Sequence, residues 1–151
     1  MDHSAERRKQ LQCRIHPFGT LPELKFVVIC ARFEGQWLMS KHKKRDTWET
    51  QGGHIEAGET SLEAAARELY EESGVQDAEI HPVCDYCGYD DYGYANGAVF
   101  LADIRTLGTL LESEMQETAL FSAMPKELTY PDVSPKLYAE AEKLCAKLGI
   151  R

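Results

Sequence analysis

The chain has 151 residues, 43% of them hydrophobic, with 17 basic against 25 acidic side chains and a formal net charge of −8. That length suits a single domain over residues 1–151 with one real core, and the acidic balance argues against nonspecific binding to nucleic acid or anionic membrane. No run approaches the ~20 apolar residues of a membrane helix, and the opening MDHSAERRKQLQ has no apolar segment, so no secretory leader is expected. Five cysteines (Cys13, Cys30, Cys84, Cys87, Cys145) form no framework spacing and are expected to be reduced structural thiols in a cytoplasm. Cys84-Asp85-Tyr86-Cys87 has no second pair with which to complete a zinc site.

In chain order, residues 1–10 are charged and expected to be flexible. Residues 25–31, KFVVICA, are a dense apolar run that fits a central strand. Glu34-Gly35 makes a turn, and residues 36–40, QWLMS, return as its hairpin partner. The basic cluster Lys41-His42-Lys43-Lys44-Arg45 follows. It is either a solvated loop or, through Lys43, Lys44 or Arg45, a contact for a terminal phosphate.

Residues 53–75 read GHIEAGETSLEAAARELYEESGV. Thr60 and Glu63 form a capping box, Gly74 sits where a left-handed residue ends a helix, and Leu62, Ala65, Ala66, Leu69 and Ser73 recur as a buried stripe. Glu68, Glu71 and Glu72 fall together on the other side. Like charges at this spacing repel, and near a helix C-terminus they oppose the macrodipole. A hard divalent cation such as Mg²⁺ relieves both penalties. The plain alternative is a solvated acidic face.

After the helix, residues 78–88 read as a strand interrupted at Pro82. Tyr86, Tyr89, Tyr92 and Tyr94 crowd a turn, either packing a hairpin or, at Tyr86 or Tyr89, forming a wall on which a base stacks. Residues 98–104 are another buried strand. Glu112, Glu114 and Glu117 lie on a loop before Ala119-Leu120-Phe121. Ser134 is expected to cap a last helix, with Pro135 at its first position and Leu137, Ala141, Leu144, Cys145 and Leu148 as its stripe. Strands interleaved with two substantial helices imply a mixed sheet covered on both faces.

Gly53, Glu59 and the run Arg67-Glu68-Leu69-Tyr70-Glu71-Glu72-Ser73-Gly74-Val75 stand in the register of the Nudix box, aliphatic positions included, and the chain resembles the Nudix hydrolase family. The resemblance implies an α/β fold: the Nudix α/β/α sandwich, with a mixed β-sheet between the box helix and a C-terminal helix. It implies Mg²⁺, with Mn²⁺ as a substitute, held by Glu68, Glu71 and Glu72, with the Gly53 carbonyl and a later carboxylate as further ligands. Glu114 is the first choice for that carboxylate and Glu117 the second. Glu68 is the candidate for orienting or deprotonating water. Arg67 completes the catalytic set by pairing with Glu59, although helical spacing alone also offers Glu63. The segments VICARFEGQWLMSKH, FLADIRTL and LFSAMPKEL are similar to the MutT-like 8-oxo-dGTP diphosphatases, in which the loop before the last helix often reads the purine, pointing to Asp132.

The reading is therefore a hydrolase cutting a diphosphate linked to a nucleoside, with 8-oxo-dGTP giving monophosphate and pyrophosphate. Lys43, Arg45, Tyr86, Tyr89 and Asp132 are its substrate contacts. The expected partner is the small nucleoside diphosphate-linked substrate, with no nucleic acid and no membrane, and a homodimer stays open. One departure stands out: Gln51 precedes the Gly-Gly where many members have proline, and WETQGGHIEAGE is also similar to the isopentenyl diphosphate isomerase branch, for which Cys30 would be the needed thiol. Hydrolysis of ADP-ribose or a dinucleoside polyphosphate is a further alternative. So is a non-catalytic nucleotide sensor, which an intact glutamate set argues against.

Overall fold

The structure is a computed structural model, and residues 4–111 and 115–151 are described. Helix α1 (Ser4–Gln10) is followed by strands β1 (Gln12–His16), β2 (Leu24–Phe33), β3 (Gln36–His42), β4 (Trp48–Glu49) and β5 (Gln51–His54). Helix α2 (Ser61–Ser73) comes next, then β6 (Asp77–Asp90), β7 (Gly93–Thr106), β8 (Met115–Phe121) and helix α3 (Ser134–Leu148). The strands form one mixed sheet in the order β1-β6-β7-β2-β3-β4, with β5 paired to β2 and β8 to β3. Only β2 and β7 run parallel among the paired described strands.

Side-chain alternation along β2 and β7 separates two core layers. Val27, Ile29, Ala31, Ala98 and Phe100 face α2 and pack with its Ala64, Ala65 and Leu69. Val28, Cys30, Val99 and Leu101 face α3 and pack with its Leu137, Tyr138, Ala141 and Cys145. This is the α/β/α sandwich expected of the family. The β2–β3 hairpin turns at Glu34 and Gly35, both with positive φ (48° and 81°), the backbone twist that two-residue hairpins favour.

Several local expectations shift. Residues 4–10, expected to be flexible, form α1, which buries none of its residues. Strand β1 has no strong sequence signal; it is fixed by pairing with β6, from Gln12↔Tyr89 to His16↔Asp85. Pro82 does not end β6 but is absorbed by a register shift between Pro82 and Cys84, as expected for a residue with no N–H to donate. Ser134 is the first residue of α3 rather than its cap. Its N–H and that of Val133 bond the Tyr130 carbonyl, so the preceding turn serves the helix start. All five cysteines are free thiols, and no described helix is long and apolar enough to cross a membrane.

Candidate active site

The catalytic helix forms as its ends dictate. Thr60 Oγ1 accepts from the Glu63 N–H at 3.1 Å and Glu63 Oε1 accepts from the Thr60 N–H at 3.0 Å. The helix closes at Gly74, with φ 78°, whose N–H bonds the Tyr70 carbonyl. Because Glu63 is committed to this box, Arg67 takes the other partner. Its Nε and Nη2 donate to Glu59 at 2.7 and 2.9 Å, and Nη2 also donates to the His54 carbonyl at 3.0 Å. One guanidinium thus ties the loop, β5 and α2 together. It holds the Glu59 carboxyl down at about 2 and is itself held well above its ordinary value by Glu59.

The buried face of α2 is rotated from the expected one: it is Ala64, Ala65, Glu68, Leu69 and Ser73, while Leu62 and Ala66 are exposed. Glu68 therefore does not stand on a solvated face. Its carboxylate is pressed against the backbone of Gly53, where any Cβ would collide with it. Burial pushes the Glu68 carboxyl above the ordinary carboxylate range, against the opposing pull of Arg67. Arg67 Nη1 stands between Glu68 Oε1, at 2.9 Å, and Glu71 Oε2, at 3.4 Å. Glu72 Oε1 accepts from the Gly52 N–H at 2.6 Å.

These groups line an open cleft of about 590 Å³, walled by Gly52, Gly53, His54, Glu56, Arg67, Glu68, Tyr70, Glu71, Glu72 and Leu111. The donor set is all hard oxygen, and the Gly53 cradle, open because position 53 lacks a Cβ, brings a backbone carbonyl strand against Glu68. It fits Mg²⁺. Among the described residues no three His, Cys, Asp or Glu side chains already converge as a cage.

On the other side of β5 lies an apolar cavity of about 280 Å³ that shares Gly52, Gly53 and His54 with the acidic cleft. Its walls include Leu11, Phe26, Val28, Tyr86, Tyr130, Val133 and Leu137, with Glu49 and Ser134 as polar members. Tyr86 meets Phe26 edge-on at 5.3 Å.

The remaining predicted contacts divide. Tyr86 lines the cavity, but Tyr89 does not join it. Three positions apart on one strand place them on opposite faces, and the Tyr89 ring instead receives Arg14 at 5.1 Å, so of the two it is Tyr86 that faces the cavity. Tyr92 and Tyr94 are exposed at the hairpin end. Asp132 is exposed and accepts from Gln12 Nε2 at 2.8 Å; its neighbours Val133 and Ser134 line the cavity in its stead. Lys43 is exposed outside both cavities, and Arg45 donates to both oxygens of buried Glu49 at 3.2 and 2.9 Å. Neither is brought to the carboxylates. Arg45 lines a separate cleft with Arg8, Lys9 and Lys44. Glu114 and Glu112 lie outside the described residues. Glu117 is on β8, not a loop, and pairs with Lys41 at 3.2 Å. Cys30 is fully buried, burial pushes its thiol well up, and it lines neither the cleft nor the apolar cavity.

Sequence reasoning missed Ser40, Glu49, His54 and Tyr130 at the site. No short window of the sequence marks them, since Glu49, His54 and Tyr130 are brought together from separate segments.

The sandwich and the box geometry define a Nudix hydrolase. A family model of the NUDIX domain matches residues 22–133, and the chain belongs to that family, hydrolases of pyrophosphate bonds in nucleotide substrates. Over 121 residues it is 31% identical to the protein named "Putative 8-oxo-dGTP diphosphatase YtkD" of Bacillus subtilis (strain 168), covering 80% of this chain and 75% of the relative. It is 26% identical over 147 residues to the NAD-capped RNA hydrolase NudC of Haemophilus influenzae (strain PittGG), covering 89% of this chain but 54% of NudC, so it spans about half of that relative. Among solved structures, the Bacillus subtilis pyrophosphohydrolase BsRppH superposes with a TM-score of 0.75 at 23% identity, over 89% of this chain and 90% of that one.

Proposed function

We propose that the chain is a Mg²⁺-dependent pyrophosphohydrolase that cuts a nucleoside triphosphate between the α- and β-phosphates, with 8-oxo-dGTP as the first substrate to test. One observation carries this reading: a carboxylate-lined cleft and a base-sized apolar cavity meet at a single strand, Gly52–Gly53–His54. A nucleotide with its base in the cavity presents its phosphates to the cleft, and the α-phosphorus, nearest the base, is the best fixed.

Glu68, Glu71, Glu72 and the Gly53 carbonyl would hold the Mg²⁺, which, when bound, supplies neutralisation of phosphoryl charge and of the leaving pyrophosphate. Glu68 is the proton acceptor. Arg67 Nη1 fixes its Oε1 at 2.9 Å, and burial raises the affinity of the carboxylate for a proton. Arg67 and Glu59 hold the loop in register with the helix.

A second reading has its own observation. The cleft of Arg8, Lys9, Lys44 and Arg45 adjoins the cavity through the Arg45–Glu49 pair, and a local basic cluster on an acidic chain suits further phosphates, as at the 5′ end of a triphosphorylated RNA. The test is a panel of (d)NTPs, 8-oxo-dGTP, ADP-ribose, diadenosine polyphosphates, isopentenyl diphosphate and a 5′-triphosphorylated oligonucleotide, assayed with Mg²⁺ in ¹⁸O-labelled water. Monophosphate plus pyrophosphate, with label in one of the two, is the expected result. Orthophosphate as the first product overturns the scheme.

A further inference from the structure

We infer that Gln51, acting through Ser40, is a positioning residue for Glu72. The inference rests on the proposed role of Glu72 at the metal site, but its geometry does not depend on which substrate is cut. Gln51 is fully buried, as is Ser40. Gln51 Nε2 donates to the Leu38 carbonyl at 3.1 Å and to Ser40 Oγ at 2.9 Å. Ser40 Oγ in turn donates to the main-chain carbonyl of Glu72 at 2.9 Å.

The Glu72 carbonyl is one of the last four in α2, which have no acceptor role left inside the helix; the hydroxyl supplies the missing donor. At its other end, the Glu72 carboxylate accepts from the N–H of Gly52, the residue directly after Gln51. The bonds therefore close a ring: Gln51 side chain, Ser40, Glu72 backbone, Glu72 carboxylate, Gly52, and back through the peptide to Gln51. Both ends of Glu72 are fixed to the same dipeptide.

The orientation of the amide follows from its partners. The Leu38 carbonyl can only accept, so the NH₂ group must face it and Ser40. Among the described residues Gln51 Oε1 has no hydrogen-bond partner. A proline at this position would stiffen the backbone but offer no side-chain donor. In this chain the amide supplies the constraint instead, and it acts on the last turn of the catalytic helix.

The test compares Gln51→Met, which keeps volume and removes the amide, with Ser40→Ala, the double variant and Ser40→Thr, which restores a hydroxyl. The first readout needs neither metal nor turnover: hydrogen exchange of the Gly52 amide by NMR in the metal-free full-length protein. We expect about tenfold faster exchange in Gln51→Met and in Ser40→Ala, no further increase in the double variant, and recovery in Ser40→Thr. Mn²⁺ affinity, read by the free-ion EPR signal, falls in parallel, and kcat falls with KM within twofold. The melting temperature of Gln51→Met stays close to that of wild type, so that the change in exchange is local. Wild-type Gly52 exchange and Mn²⁺ affinity in both single variants overturn the inference, as do losses that simply add in the double variant and track a lowered melting temperature. A protein in which these readouts move as expected but no diphosphate is cut overturns the proposed function and leaves the positioning role standing.

Discussion

The two faces of the sheet are built by different means. On the α2 side the helix presents alanines to the strands and sits close to a glycine strand, and its orientation is set by directed bonds from Arg67, Glu59, Ser40 and Gly52. On the α3 side bulk does the work. Trp37 meets Tyr138 at 4.9 Å, and Leu137, Met39 and Tyr86 fill the layer. The acidic cleft belongs to the first face and the apolar cavity to the second. Polar substitutions on the α2 side should therefore change turnover more than folding, and truncations on the α3 side should do the reverse.

The sharpest test of that division is Glu68→Gln. Removing the proton acceptor proposed above should lower kcat by about 10²–10⁴-fold, or roughly 3–5 kcal/mol of barrier. The metal-free variant should unfold no more easily than wild type. The sign follows from burial: a carboxyl whose proton affinity is raised in the folded state is destabilising when ionised, so neutralising it relieves the fold at neutral pH. Steady-state kinetics beside thermal melts check both halves, and a variant that loses stability along with turnover breaks the comparison.

Leu137→Ala is the counterpart on the other face. Leu137 is 1% exposed and also lines the cavity. Truncation should cost about 2–5 kcal/mol of stability and raise KM while largely sparing kcat, as urea melts and kinetics on the best substrate will report. Thr60→Ala, which deletes the cap of α2, should cost about 1 kcal/mol with kcat nearly unchanged below the melting transition.

The smallest effect is expected at Glu59, and it depends on pH. Pairing with Arg67 lowers this carboxyl from 4.5 to about 2, so its contribution is fully present above pH 4.5 and is lost as pH falls through about 2. The melting-temperature gap between wild type and Glu59→Gln should be open at pH 7 and narrow steadily between pH 4.5 and pH 2. A gap that does not vary with pH would show that the ion pair is not what pins the loop.

How much of this was legible in the sequence varied with how local each signal is. Helix α2 announced itself because Thr60, Glu63 and Gly74 act within one turn of its ends, and the Glu34-Gly35 hairpin did so for the same reason. Strand β5 was not legible. Gln51-Gly52-Gly53-His54 has no apolar alternation, and its place beside β2 is set by a pairing whose register, Val28↔Gly52, no short window contains. Glu68 was misplaced because a charged residue was assigned to the solvent side, although it follows Ala64 by four positions and shares its face. Tyr86 and Tyr89 were grouped by composition, when a strand's period of two already separates them. The role of Gln51 was visible only as a departure from the usual proline, since its partners Leu38 and Ser40 lie on another strand.

The parallel pairing of β2 with β7 joins distant parts of the chain. Val28 pairs with Val99, so closing that ladder means bringing together segments with β3, β5, α2 and β6 all between them in the chain. Such distant pairings pay their loop-closure entropy before any contact rewards it. The β2–β3 hairpin can form early and alone, but the surface on which α2 rests, Val27 and Ile29 beside Ala98 and Phe100, exists only once the ladder has closed. The seat of the carboxylate helix thus depends on a contact between distant parts of the chain, so a substitution that loosens the β2–β7 ladder reaches the cleft without touching it.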